Sequence, residues 1–139
     1  MNKALLDTDT YSEVLKAVSP TVAQNAASYR QQHRMYSVSV ITVMEIVYGF
    51  QLVQNHRRLQ NFLASVAQEE VISFEHPAAV LAGRIAGDLD RTGQTIGKAD
   101  PMIAAIAIDR GWELVTGNTA HYQRIQQLGY PLALVNWRI

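Results

Sequence analysis

The chain has 139 residues, 48% of them hydrophobic, which is enough for one core and requires no linker between domains. Twelve lysines and arginines balance twelve aspartates and glutamates, so no long-range field gathers polyanions and any nucleic acid must be held locally. Cysteine is absent, excluding disulfides and thiolate metal ligands, and no apolar run approaches the roughly 18 residues of a membrane span. Met1-Asn2-Lys3 leads directly into a short strand, and a cytoplasmic chain is expected.

Ala4 to Leu6 is too short for a helix and reads as a buried strand that stops at Asp7-Thr8-Asp9-Thr10. Helices are predicted over Tyr11 to Ala17, punctuated by Pro20, and over Val22 to Gln32. Tyr36 to Val38 is the next strand, after which Ser39 is a good N-cap for a helix carrying Ile41, Met44, Val47 and Tyr48. Leu59 to Val66 reads as a helix, Val71 to Phe74 as a strand, and Ala78 to Leu89 as a helix with an apolar stripe. The glycine-flanked loop Thr92 to Gly97 precedes an alanine-rich helix from Asp100-Pro101 through Ile108, with proline at its first position. Trp112 to Val115 and Leu132 to Val135 are the last strands, with a short helix around His121 to Gln126 between them. Strands alternating with helices imply an α/β fold with a parallel sheet covered on both faces.

Asp7, Glu45, Asp100 and the pair Thr116 and Asn118 each close an apolar run or open an amphipathic segment. In an open parallel sheet, ligands bind at the carboxyl ends of the strands. Each acid also has a purely structural role open to it. Asp7 and Asp9 suit an N-cap, Glu45 follows Thr42 by three residues as in a capping box, and Asp100 precedes a proline. The two roles are compatible, because helix N-termini around a strand-end crevice bring such acids together. Gathered carboxylates repel unless a cation compensates, and Mg²⁺ accepts one or two of them together with phosphate oxygens. Phosphodiester hydrolysis is the reaction class that follows.

Other features carry less. His33, His56, His76 and His121 have no zinc-ligand spacing and are expected at the surface. Gly93 and Gly97 form neither a Walker loop nor a dinucleotide fingerprint. Trp112 and Trp137 read as packing residues. Arg57, Arg58, Arg84, Lys98 and Arg124 suit phosphate contact or a solvated helix face equally.

The segments Leu5-Leu6-Asp7-Thr8-Asp9, Ser39 through Gly49, Ala99-Asp100-Pro101-Met102-Ile103-Ala104-Ala105 and Leu114-Val115-Thr116-Gly117-Asn118-Thr119, with the ending Val135-Asn136-Trp137, resemble the motifs of PIN-domain ribonucleases. The resemblance spans essentially residues 1–139 as a single PIN domain and is closest to the VapC-type toxins of toxin-antitoxin pairs. It implies a five-stranded parallel sheet flanked by helices and a Mg²⁺-dependent endoribonuclease, with Mn²⁺ as a substitute, that hydrolyses transfer or ribosomal RNA through metal-activated water. It also implies a homodimer and a cognate antitoxin whose tail fills the active-site groove, with assembly on operator DNA through that antitoxin. By position, Asp7, Glu45 and Asp100 would be the metal-binding acids, while Thr116 and Asn118 would orient a water or a neighbouring carboxylate. Asp9 stands where the wider family often has asparagine and is taken as a supporting residue. Many PIN domains have a further acid in the last motif, but here none follows Glu113, a departure that bears on a second metal site.

Two other classes compete. Asp7-x-Asp9 and Leu114-Val115-Thr116 resemble motifs of haloacid-dehalogenase-type phosphatases, yet the lysine and acidic motif that those enzymes require downstream are absent from residues 117–139. A non-catalytic PIN-like domain that binds RNA or a partner is the non-enzymatic alternative, and metal-dependent cleavage discriminates against it.

Overall fold

A computed structural model describes residues Met1 to Ile139. The central strand β1, Ala4–Leu6, is followed by helices α1, Thr8–Lys16, and α2, Pro20–His33. Then come strand β2, Ser37–Ser39, helices α3, Val40–Leu52, and α4, His56–Val66, and strand β3, Glu70–Ile72. Helices α5, His76–Arg91, and α6, Ala99–Arg110, lead to β4, Glu113–Val115. The chain closes with α7, Thr119–Gln127, and β5, Leu134–Val135. All neighbouring strands are parallel, in the order β3-β2-β1-β4-β5. The five-stranded α/β architecture expected from the sequence is the one observed.

Both faces of the sheet are covered, so every β1 residue is apolar and buried. Successive strand residues point to opposite faces. Leu5 and Leu114 enter an aliphatic core with Ile85, Ile103, Ile106 and Ile125. Leu6 and Val115 enter an aromatic core with Tyr11, Tyr29, Tyr36, Phe62 and Trp137. Trp137 is therefore a packing residue, as its sequence context predicts. No helix is long and apolar enough to cross a membrane.

Several helix starts differ from expectation. α1 begins at Thr8 rather than Tyr11, because Asp7 caps it by accepting from the Thr10 N–H at 2.8 Å. Pro20 opens α2 instead of merely ending the previous helix, with Ser19 as its cap. α6 starts at Ala99, so Asp100 is not its cap and Pro101 sits third, still in the turn whose N–H groups lack intrahelical partners. The capping-box role of Glu45 fails as well. Ser39 caps α3 through the Thr42 N–H at 3.2 Å, and Glu45 lies beyond the first turn with its carboxylate turned to Thr8.

Candidate active site

The strand order reverses between β1 and β4, where an open parallel sheet leaves a crevice at its carboxyl edge. Register places the motif residues there. Leu6 pairs with Val115, so Asp7 and Thr116 emerge side by side, and the Asp7 N–H extends the ladder to the Val115 carbonyl at 3.0 Å. Asp7 is buried, and desolvation pushes its carboxyl above the ordinary range; hydrogen bonds from Thr116 and Thr10 oppose this, and the nearby Asp9 charge adds to it. Thr116 also accepts the Asn118 N–H at 2.9 Å, which locks the turn into α7.

Glu45 arrives from the other side, on α3. The Thr8 hydroxyl donates to its Oε1 at 2.6 Å and lies 2.9 Å from the Thr42 hydroxyl. Thr8 has one proton and an ionised carboxylate only accepts, so Thr42 donates to Thr8 and Thr8 to Glu45. Two buried or half-buried threonines thereby aim one carboxylate.

Asp100 projects from the first turn of α6 toward α7. Tyr122 donates to its Oδ1 at 3.2 Å, and His121 Nδ1 lies 3.5 Å from its Oδ2. Burial raises the Asp100 pKa, and the His121 and Tyr122 hydrogen bonds hold it partly back. The same His121 Nδ1 is 2.8 Å from Asn118 Nδ2. One nitrogen cannot accept from the amide and donate to Asp100 at once, so the tautomer of the ring decides which of the two contacts forms.

Tyr122 marks the convergence of the acids. Its phenol is pushed well up, first by burial and then by the fields of Asp100, Asp7 and Glu45. Fields reach farther than coordination bonds, however, and no three acids or histidines stand close enough to enclose an ion by themselves. The five predicted residues Asp7, Glu45, Asp100, Thr116 and Asn118 thus share one edge of the sheet without forming a closed cage. His121 and Tyr122 belong with them. The expectation of a surface His121 is corrected: it is half-buried against Asp100 and Asn118. A signal existed, since His121 follows Asn118 by three residues at a helix start, where i and i+3 side chains are neighbours.

A groove of about 890 Å³ opens from Thr8 and Glu45 along α1, α3 and α4, past Leu15, Lys16, Val18, Val53 and Arg58. Of the basic residues singled out by sequence, Arg58 faces this groove, whereas Arg124 reaches the Thr95 carbonyl at 3.4 Å. A second recess of about 630 Å³ between α5 and α6 is lined by Lys98, Pro101 and Met102 but by none of Asp7, Glu45, Asp100, Thr116 and Asn118.

No protein-family model matches the chain. It is 32% identical over 110 residues, covering 76% of this chain and 83% of the relative, to a tRNA(fMet)-specific endonuclease VapC of Shigella flexneri. It is 30% identical over 126 residues, covering 90% of this chain and 93% of the relative, to the tRNA(fMet)-specific endonuclease VapC of Salmonella typhimurium. Among solved structures, DNA-bound VapBC from Salmonella typhimurium matches with a TM-score of 0.80 at 28% identity over 99% of each chain. VapBC2 from Rickettsia felis, bound to a promoter DNA fragment, matches with a TM-score of 0.75 at 25% identity over 96% of this chain and 98% of that one. With its motif residues gathered at the switch point of a five-stranded parallel sheet and this level of identity across most of its length, the chain belongs to the VapC family of PIN-domain ribonucleases.

Proposed function

We propose that the chain is the Mg²⁺-dependent endoribonuclease toxin of a toxin-antitoxin pair and that it hydrolyses transfer RNA. The observation that carries this reading is the placement of Asp7, at the end of β1, with Glu45 held through Thr8 and Asp100 held through Tyr122, on one edge of the sheet beside a groove open to solvent. The donor set suits a hard cation, because it offers carboxylate and hydroxyl oxygens and no thiolate. Asp7 and Asp100 are both held above the ordinary carboxylate range by burial, a cost that a divalent cation offsets. Asp7, Asp100 and Glu45 would hold the ion together with water and substrate oxygens, since no three of the acids and histidines enclose it by themselves. Bound there, Mg²⁺ supplies charge stabilisation at a phosphoryl oxygen and lowers the pKa of water.

The protein's own groups prepare the site. Thr8 and Thr42 aim Glu45, Thr116 steadies Asp7, and Tyr122 with His121 fixes Asp100. Transfer RNA as substrate is supported by the relatives in Shigella flexneri and Salmonella typhimurium, which are named tRNA(fMet)-specific endonucleases. An antitoxin partner is supported by the VapBC complexes of matching fold and by the groove, whose Leu15, Val18 and Val53 are exposed. A segment laid along that groove would cover Glu45.

The test is cleavage of a tRNA(fMet) transcript by the purified chain. Mg²⁺ or Mn²⁺ should support it, Ca²⁺ should substitute poorly because its coordination is larger and looser, and products should carry 5′-phosphate and 3′-hydroxyl ends. Activity surviving exhaustive chelation, or a 2′,3′-cyclic phosphate product, would overturn the mechanism.

A further inference from the structure

Gly117 joins Thr116, the partner of Asp7, to Asn118, the partner of His121, and the guanidinium of Arg138 lies across it. A methyl group added at Gly117 would overlap the Cζ, Nη1 and Nε atoms of Arg138. The approach therefore depends on a missing side chain within the last motif. The segment carrying Arg138 is anchored: Asn25 Nδ2 donates to the Trp137 carbonyl at 2.9 Å, the Trp137 ring is buried, and the Arg138 N–H donates to Asn136 Oδ1 at 2.9 Å.

The side chain is held on one edge only. Glu13 Oε1, on α1, accepts from both Nε and Nη2 of Arg138, while Nη1 has no protein acceptor. The Nη1 side of the fork is left free beside the site. The fields of Asp9 and Asp7 reach the guanidinium, so it is a cation set beside these two carboxylates. In a chain with no net charge, a polyanion can approach that acidic edge only where a local cation receives it. Arginine suits this role, because its planar donors match a phosphate and its charge does not titrate.

We propose that Arg138 binds a backbone phosphate of the RNA beside the scissile bond, its Nη1 edge meeting the phosphate while Glu13 holds the other edge. This rests on the nuclease reading above. Arg138 is then a substrate-positioning residue.

The experiment uses the full chain with Asp100→Asn to block cleavage and titrates a fluorescein-labelled tRNA(fMet) transcript at several salt concentrations. Added Arg138→Gln should weaken binding severalfold and reduce the slope of log affinity against log salt by about 0.7 to 0.9, the value of one phosphate contact. Arg138→Lys should keep the slope and recover part of the affinity, as a point charge without the fork. Glu13→Gln should lower the melting temperature about as much as Arg138→Gln does, since both break the ion pair, yet leave the salt slope unchanged. In the otherwise unaltered enzyme, Arg138→Gln should raise KM more than it lowers kcat. An unchanged slope and affinity on adding Arg138→Gln, when the Asp100→Asn protein binds tRNA and the unaltered chain cleaves it, overturns the role of Arg138 alone. The same holds if Glu13→Gln changes the slope as much as Arg138→Gln does, because the pair then acts only through structure. A parent that neither binds nor cleaves RNA overturns the nuclease reading and this proposal together.

Discussion

Tyr29, Leu5 and Asp7 are all almost fully buried, at 1%, 0% and 4% exposure, yet the protein treats them differently. In the interior, the Tyr29 hydroxyl accepts from the Ala4 N–H at 3.1 Å and donates to the Ala4 carbonyl at 3.2 Å, and Leu5 meets an aliphatic core. Both of these side chains find the environment they prefer. At the carboxyl edge, Asp7 is desolvated beside Asp9, and its hydrogen bonds do not offset the burial. The interior is organised for stability, and the edge gives up some of that stability to hold acids where water would solvate them better.

Replacing Asp7, Glu45 or Asp100 by the matching amide should produce the largest effect and separate the two regions most sharply. RNA cleavage should be abolished while the protein stays folded. Asp7→Asn should also raise the melting temperature of the metal-free protein, because asparagine caps α1 about as well as aspartate and carries no charge to desolvate. Calorimetry beside a cleavage assay decides the matter, and full activity in both Asp7→Asn and Asp100→Asn would reduce these acids to structural groups.

The interior should give the opposite pattern. Leu5→Ala removes a fully buried side chain from the aliphatic core and should cost about 2–5 kcal/mol in urea unfolding. Cleavage per folded molecule should change little. If Leu5→Ala abolished cleavage in protein shown to be folded, the two regions would not be separable as described.

Asn118→Ala tests the boundary between them. Asn118 touches His121 rather than Asp100, so its loss should slow cleavage by roughly 10- to 100-fold without abolishing it, the usual cost of losing an orienting partner. Asn118→Asp should tighten Mg²⁺ or Mn²⁺ binding in a calorimetric titration. Unchanged metal affinity and unchanged rate in both variants would place Asn118 outside the site.

The smallest effect compares two tyrosines within the aromatic core. Tyr29→Phe strips both hydrogen bonds from Ala4 and should destabilise by about 1–3 kcal/mol. The buried Tyr11 hydroxyl has no partner, so Tyr11→Phe should be neutral or slightly stabilising. Chemical denaturation of the two variants side by side reads the difference. Equal losses would show that Tyr11 is satisfied by a group such as ordered water.

Much of this was legible in local patterns. Ala4 to Leu6 announces a strand covered on both sides, and the caps Asp7 and Ser39 are written within three residues of the N–H groups they serve. The motif positions Asp7, Glu45, Asp100, Thr116 and Asn118 could be named because each terminates or opens a local pattern. The start of α6 was misplaced because a proline in a first turn does not say which residue of that turn it is. The distant partners were not legible at all. Thr8 meets Glu45 across 37 positions, Tyr122 meets Asp100 across 22, and Arg138 meets Glu13 across 125. Helical and strand periodicity relates a residue only to neighbours a few positions away. Which distant side chains touch is decided by sheet register and helix packing: Leu6 opposite Val115 and Val38 brings the ends of β1, β2 and β4 to one edge, and with them the acids, the imidazole and the arginine.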